Sequence, residues 1–250
     1  MSTWDGLRRE LDAWGESDRC ATLWWRDDDA QAPSPALGRL LALHRDFAVP
    51  LALAVIPAAL DPALTLSLDP DCSVLQHGYA HTNHASSGEK KCELGAHRPL
   101  ETVLAELMAG RRILERGFPE RWLPVLVPPW NRLAAELPAR LPGIGLHGLS
   151  SHTPRRAREP FPGLIQANTH VDPVDWRGQG GFVGTEAALA QAVLHLRRRR
   201  LGEVDGAEPT GLLSHHLVHD AATWAFLERF LAVTTAHPAT CWLAPAQVFA

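Results

Sequence analysis

Residues 21–29 read ATLWWRDDD: five mostly apolar residues, an arginine, then three consecutive carboxylates. A short apolar run bounded by charge is the pattern of a strand buried on both faces. Three adjacent aspartates repel one another, and taken alone they read as a solvated loop. Directly after ATLWW, however, at least one of them is drawn toward the interior. There it needs a cation, either a metal ion or an arginine. The stretch therefore reads as a strand over 21–26 that ends by delivering acid to one edge of the core.

The same design recurs along the chain. PLALAVI (50–56) is fully apolar, CSVLQ (72–76) runs into His77, and WLPVLV (122–127) runs into PPWN. Further strand candidates are IGLHGLS (144–150), LIQANTH (164–170), GLLSHH (211–216) and TCWLA (240–244). Helices are predicted after Ser34 as N-cap with Pro35 in the first turn, over 99–118, over 185–200, and over 221–236 with Asp220 as cap. Alternation of this kind predicts an α/β fold: a distorted (β/α) barrel with seven to eight mostly parallel strands, as one domain spanning 1–250. The polar clusters DDD, HGYAH, PPWN, THVDPVDW and SHH all fall at the C-terminal ends of those strands. In a (β/α) barrel these ends converge on one face, where active sites lie.

Composition narrows the partners. Hydrophobic residues at 46% and charged residues at 21% suit a globular domain, and a net charge of -4 gives no nucleic-acid footprint. No apolar run approaches membrane-spanning length, and the first residues, MSTWDGLRRELDAWGES, lack an export signal's apolar centre. A cytoplasmic protein with no membrane partner is expected. The four cysteines, Cys20, Cys72, Cys92 and Cys241, form no CxxC and read as scattered, mostly buried thiols. The run Arg197 to Arg200 reads as a solvated helix end that complements the helix dipole. Trp24 and Trp25 read as core packing.

Residues 77–84, HGYAHTNH, hold three histidines, in a chain where 13 of 250 residues are histidine. At that frequency about one pair at spacing four arises by chance. On a helical turn His77 and His81 would share a face, and with a strand-end aspartate they make a two-histidine, one-carboxylate set with positions open to water and substrate. His215 and His219 repeat the spacing, although His219 also reads as the lead-in to the helix capped by Asp220. Iron oxygenases use a similar ligand set, but their HxD spacing on a jelly roll does not match this α/β pattern. GEKKCELGAHR (88–98) reads either as a solvated loop or as a lid over the site.

Taken in order, DDD after the first strand, HGYAH after the third, then PPW, VDW and a late LSH resemble the five motifs of the polysaccharide deacetylase superfamily, carbohydrate esterase family four. The resemblance spans residues 21 to about 220, and VPLALAVIP followed by HGYAH is most similar to a cytoplasmic branch. It implies a hydrolase that uses a divalent metal, with zinc the expected ion, to remove an acetyl group from an N-acetylated sugar or related amide. Asp27 then takes the role of general base, and Asp28 joins His77 and His81 as metal ligand, with Asp29 where the family usually has glycine. The shifted pairing, Asp28 as base and Asp29 as ligand, stays open.

His215 matches the general acid, held by Asp175 of the Asp175–Trp176 pair. Pro129 and Trp130 match the walls of the acyl pocket. Tyr79, Trp176 and Arg98 are the remaining candidate substrate contacts. One position departs from the pattern: Val127 stands where the family often carries an arginine that restrains the base, and Arg26, Arg98 and Arg132 are candidates to replace it. The partner implied is a small-molecule or oligosaccharide amide. Two other readings remain: an amidohydrolase acting on another C–N bond, such as a cyclic ureide or imide, and a catalytically degenerate relative that binds sugar or protein.

Overall fold

A computed structural model describes residues 3–176, 178 and 180–250. In chain order the elements are α1 (Trp4–Glu16), β1 (Ala21–Ala30), α2 (Pro35–Phe47), β2 (Leu51–Val55), α3 (Leu64–Ser67), β3 (Ser73–His77), α4 (Leu100–Gly117) and β4 (Trp122–Val127). Then come β5 (Gly148–Leu149), β6 (Ile165–Gln166), α5 (Thr185–Arg200), β7 (Thr210–Ser214), α6 (Ala221–Thr235), β8 (Thr240–Trp242) and α7 (Pro245–Val248). The sheet has the order β6-β5-β4-β3-β2-β1-β7, with β8 beside the start of β1, and every strand pair is parallel. Beyond β6 the chain reaches β7 through the bridge between Val171 and Leu212, so the sheet curls toward closure. The expected distorted (β/α) barrel is the observed architecture. Among the described residues no helix is long and apolar enough to cross a membrane.

Local signals set the helix starts. Ser34 accepts the Leu37 amide ahead of Pro35, and Asp220 accepts the Thr223 amide at 2.7 Å. The strands at 144–150 and 164–170 are shorter than expected, because only two residues of each keep regular pairing.

β1 departs in the opposite sense and runs on through all three aspartates to Ala30. Side chains on a strand alternate between its faces. Trp24 packs inside the barrel with Ala52, Ala54, Leu75, Val125 and Val127, whereas Leu23 and Trp25 join the leucines of the helix layer. By the same alternation Arg26 and Asp28 share the interior face and Asp27 the helix-side face.

The arginine run is not a wholly solvated helix end. Arg199 is buried, donating to Thr22 and Thr210 and lying over the Trp14 ring, while Arg200 pairs with Glu10 at 2.8 Å. These contacts clamp α5 onto α1 and β1. The thiols also divide: Cys72 and Cys92 are buried, while Cys20 and Cys241 are exposed.

Between α5 and β7 lies a buried group of His170, His195 and Glu208. The imidazoles stack with centroids 3.4 Å apart. His170 Nδ1 accepts the Gly211 amide, which places the ring proton on Nε2, 3.5 Å from Glu208. Burial holds both histidines below the usual imidazole range and pushes Glu208 up to about 7. Below pH 6.5 the unfolded chain therefore binds protons that both folded imidazoles refuse, which lowers stability. Between pH 7 and 4.5 the folded Glu208 holds a proton that the unfolded chain lacks, which raises it. Between pH 6.5 and 4.5 two groups oppose one, so their net effect is a loss of about 1.4 kcal/mol per pH unit on acidification. Urea titrations below pH 6.5 should show stability falling more steeply on acidification in the wild type than in His195→Gln, by about 1.4 kcal/mol per pH unit; equal slopes would refute the account.

Candidate active site

The C-terminal ends of β1, β3, β4 and β7 meet on one face of the sheet. His77 is the last residue of β3, fully inside the sheet, and His81 lies four residues later. The connection is not the helical turn expected from the spacing. It is an irregular loop with left-handed backbone at Gly78 (φ 56°) and His81 (φ 55°). Glycine is required at 78, because a Cβ there would sit 2.0 Å from Glu93 Oε2 and 2.6 Å from Pro129 Cγ. Buried Glu93 accepts the amides of Tyr79 and Ala80, clasping the loop between the two histidines.

His77 Nδ1 lies 3.0 Å from the Val127 carbonyl. A carbonyl only accepts, so Nδ1 carries the proton and Nε2 presents a lone pair to the site. The carboxylate facing it is that of Asp29: Oδ1 is 3.0 Å from His77 Nε2 and 3.3 Å from His81 Nε2. Two features of β1 aim Asp29 there. Its φ of 72° breaks the strand alternation, and the register with β2 shifts between Asp27 and Ala30. Asp29 Oδ1 is buried and makes no hydrogen bond among the described residues.

Three electron-pair donors, all within 4.8 Å of one another, could hold a divalent ion with positions left for water and substrate. The electrostatics of Asp29 and His81 agree with that use. At His77 burial is outweighed by Asp29 and Asp28, which raise the imidazole pKa, so an ion there would take the place of a proton. Burial opposes ionisation of Asp29, yet the facing imidazoles of His77, His215 and His81 hold it well below the usual carboxylate range. Burial and the nearby His77 keep His81 below its ordinary value, in the neutral form that ligates.

The other two aspartates face different partners. Asp28, expected as the ligand, is gripped by both arms of Arg26, with Nε to Oδ1 at 2.8 Å and Nη2 to Oδ2 at 2.9 Å. Arg26 is itself buried and donates to Ser150 Oγ. An arginine therefore does restrain a carboxylate at this site, supplied by β1 where β4 offers only Val127. Of the other candidates, Arg98 pairs with Glu106 and the Glu93 carbonyl, and Arg132 donates to the Lys91 carbonyl.

Asp27, expected as the base, is turned to the helix side. There it accepts Ser214 Oγ at 2.6 Å and the His216 amide at 3.0 Å, and it pairs with His216 Nδ1. These partners all belong to the end of β7 and the residues just after it, not to the two metal-ligand histidine candidates. Burial opposes its charge, but His216 and Ser214 hold its pKa below the ordinary value, and Asp27 raises that of His216 in return.

His215 follows β7 and stands edge-on to the Trp176 ring at 4.7 Å. Its Nδ1 is buried with no hydrogen-bond partner among the described residues, so the expected support from Asp175 is not a hydrogen bond to that atom. The Asp175 carboxylate accepts the Gly178 amide. Trp176 is 56% exposed and donates to Asp172. His219 Nε2 accepts the His215 amide, so the second HxxxH pair is a structural brace.

Trp130 lies 4.4 Å from the His81 ring, and Pro129 abuts Gly78. Tyr79 is half-buried within the clasped loop. The 88–98 segment is more than a loose loop, since Glu93 and the bridge of Leu94 to Leu133 pin it down.

This chain superposes on solved deacetylase structures along nearly its whole length. It matches a Streptomyces lividans family 4 carbohydrate esterase in complex with acetate with a TM-score of 0.56 and 18% identity, covering 89% of this chain and 91% of that one. A Clostridium thermocellum family 4 acetyl xylan esterase with a cobalt ion matches at 0.52 and 10%, covering 91% and 90%. A Mycobacterium smegmatis protein provisionally assigned as a polysaccharide deacetylase matches at 0.60 and 16%, covering 93% and 90%. The fold is that of the polysaccharide deacetylases. No protein-family model and no curated protein matches the sequence.

Proposed function

We propose that the protein is a metal-dependent deacetylase that removes an acetyl group from an N-acetylated sugar or related amide in the cytoplasm. The observation that carries this reading is the convergence of Asp29, His77 and His81 beside an arginine-restrained carboxylate, Asp28. In this reading Asp29, His77 and His81 hold the ion, taken to be zinc. When bound, such an ion lowers the pKa of a water and polarises the amide carbonyl.

Asp28 accepts the proton of the attacking water, with Arg26 fixing the direction of its free electron pairs. His215, backed by Trp176, gives a proton to the leaving nitrogen, since an unprotonated amine leaves poorly. Trp130 and Pro129 wall the acyl group, while Asp27 and His216 seat the β1–β7 floor beneath. The acetate and cobalt complexes of the family 4 esterases supply the chemical precedent. The support for the degenerate-relative reading is the arginine missing at the position of Val127, and the Arg26–Asp28 pair favours the catalytic reading over it.

Elemental analysis together with an acetate-release screen over N-acetyl sugars tests the proposal. About one ion bound at this face with acetate released is expected. A metal-loaded protein inert toward sugars but active on cyclic ureides would replace it. Glu93 offers a more local check: Glu93→Ala strips the clasp from two buried amides and should weaken zinc binding by about 10- to 100-fold. Unchanged affinity by calorimetric titration would mean the histidine loop holds its own shape.

A further inference from the structure

A second group of electron-pair donors lies at the opposite end of the sheet, where the strands begin. His44, near the end of α2, is 2% exposed, and Cys72, just before β3, is 1% exposed. His44 Nδ1 lies 2.6 Å from the Val49 carbonyl and must donate to it. The other nitrogen, Nε2, therefore presents its lone pair when the ring is neutral, and it faces Asp71 Oδ1 at 3.0 Å. Two acceptors at that distance need a positive charge between them. A proton on His44 would serve that pair alone and leave Cys72 unused, although one ligand atom from each of the three residues lies within 4.8 Å of the others. The arrangement repeats that of His77, whose Nδ1 is likewise locked on a backbone carbonyl while Nε2 faces a carboxylate.

We propose that His44, Asp71 and Cys72 form a second metal site, for a divalent ion of the borderline-soft class to which zinc belongs. Imidazole nitrogen, thiolate and carboxylate suit such an ion, and Asp71, whose side chain is 75% exposed, leaves its side of the site open to a water as fourth ligand. The charges close: one divalent cation balances one thiolate and one carboxylate around a neutral imidazole. Binding displaces the thiol proton of Cys72, and that of His44 where it is present, to solvent. Burial and the charges of Asp69 and Asp71 push the free Cys72 thiol up to about 12, so the ion has to compete with a firmly held proton. Once bound, the ion staples the α2–β2 turn to the start of β3 and stabilises the folded chain.

Cobalt(II) distinguishes this site from the one on the opposite face, because only this one supplies sulfur. Purified wild-type protein titrated with cobalt(II) should take up two equivalents and develop the near-ultraviolet absorption of thiolate-to-cobalt charge transfer. Asp29→Ala should keep that absorption and bind one equivalent. Cys72→Ala should lose it, bind one equivalent and still release acetate, with zinc affinity at this site down by about 100-fold or more. His44→Gln, which retains the thiol, guards against a misfolded cysteine variant and should also lose the band. Absence of the band in folded wild-type protein with excess cobalt overturns the proposal. So does its survival in Cys72→Ala, which would assign it to Cys20, Cys92 or Cys241.

Discussion

Asp29→Ala is expected to lose the ion from the active face and with it all hydrolysis above background, whereas Asp28→Asn should keep the ion and lose about 100- to 10,000-fold in kcat. The two substitutions concern neighbouring, chemically identical side chains, so the contrast tests geometry rather than charge. Asp29 reaches both ligand imidazoles, at 3.0 and 3.3 Å, and its Oδ1 has no other partner among the described residues. Asp28 is held by Arg26 instead, and in the proposed mechanism it handles protons rather than the ion. Metal content and turnover on one N-acetyl substrate decide the matter. An Asp29→Ala protein that retains its ion, or an Asp28→Asn protein that loses it, would return the ligand role to Asp28.

The second large effect is on stability. Arg26→Met keeps an unbranched apolar stem but leaves Asp28 buried without its cation, and removes a donor from Ser150 and the Ser151 carbonyl. Breaking a buried pair from one side costs about 3–5 kcal/mol, because the remaining charge is stranded. The double variant Arg26→Met, Asp28→Asn should recover much of that loss, since no charge is left unpaired. Arg26→Lys should fall between, as an ammonium cannot span both carboxylate oxygens. Urea unfolding of the four proteins measures this directly. A loss below about 1 kcal/mol in Arg26→Met would show that solvent reaches Asp28.

Much of this architecture is legible from residue pattern. Apolar runs that end in polar clusters mark the parallel strands and the face they deliver to, because burial on both faces demands such runs. The helix caps at Ser34 and Asp220 follow from side chains that compete for free amides. His77 and His81 are brought together as their spacing suggests, though by left-handed backbone rather than a helical turn. The distribution of the acidic triplet was half legible. Strand alternation from Trp24 already places Arg26 and Asp28 on one face and Asp27 on the other. What alternation cannot reveal is the register shift that swings Asp29 inward, a local feature of the β1–β2 pairing. Glu93 carries no local signal at all, since its role depends on a loop meeting another loop. The partnership of Asp27 with His216 is equally non-local, joining residues 189 positions apart.

The pairing of β1 with β7 has a further consequence. Asp27 and Ser214 sit opposite one another in that ladder, so the next residue on each strand, Asp28 and His215, begins from neighbouring rungs. Adjacent strands are about 4.8 Å apart and cannot slide without breaking several backbone hydrogen bonds. If Asp28 takes the proton and His215 gives it, as proposed, the span between them starts from this paired main chain. Under that proposal, widening the range of accepted substrates by engineering would proceed through the surrounding loops rather than through the strand pairing.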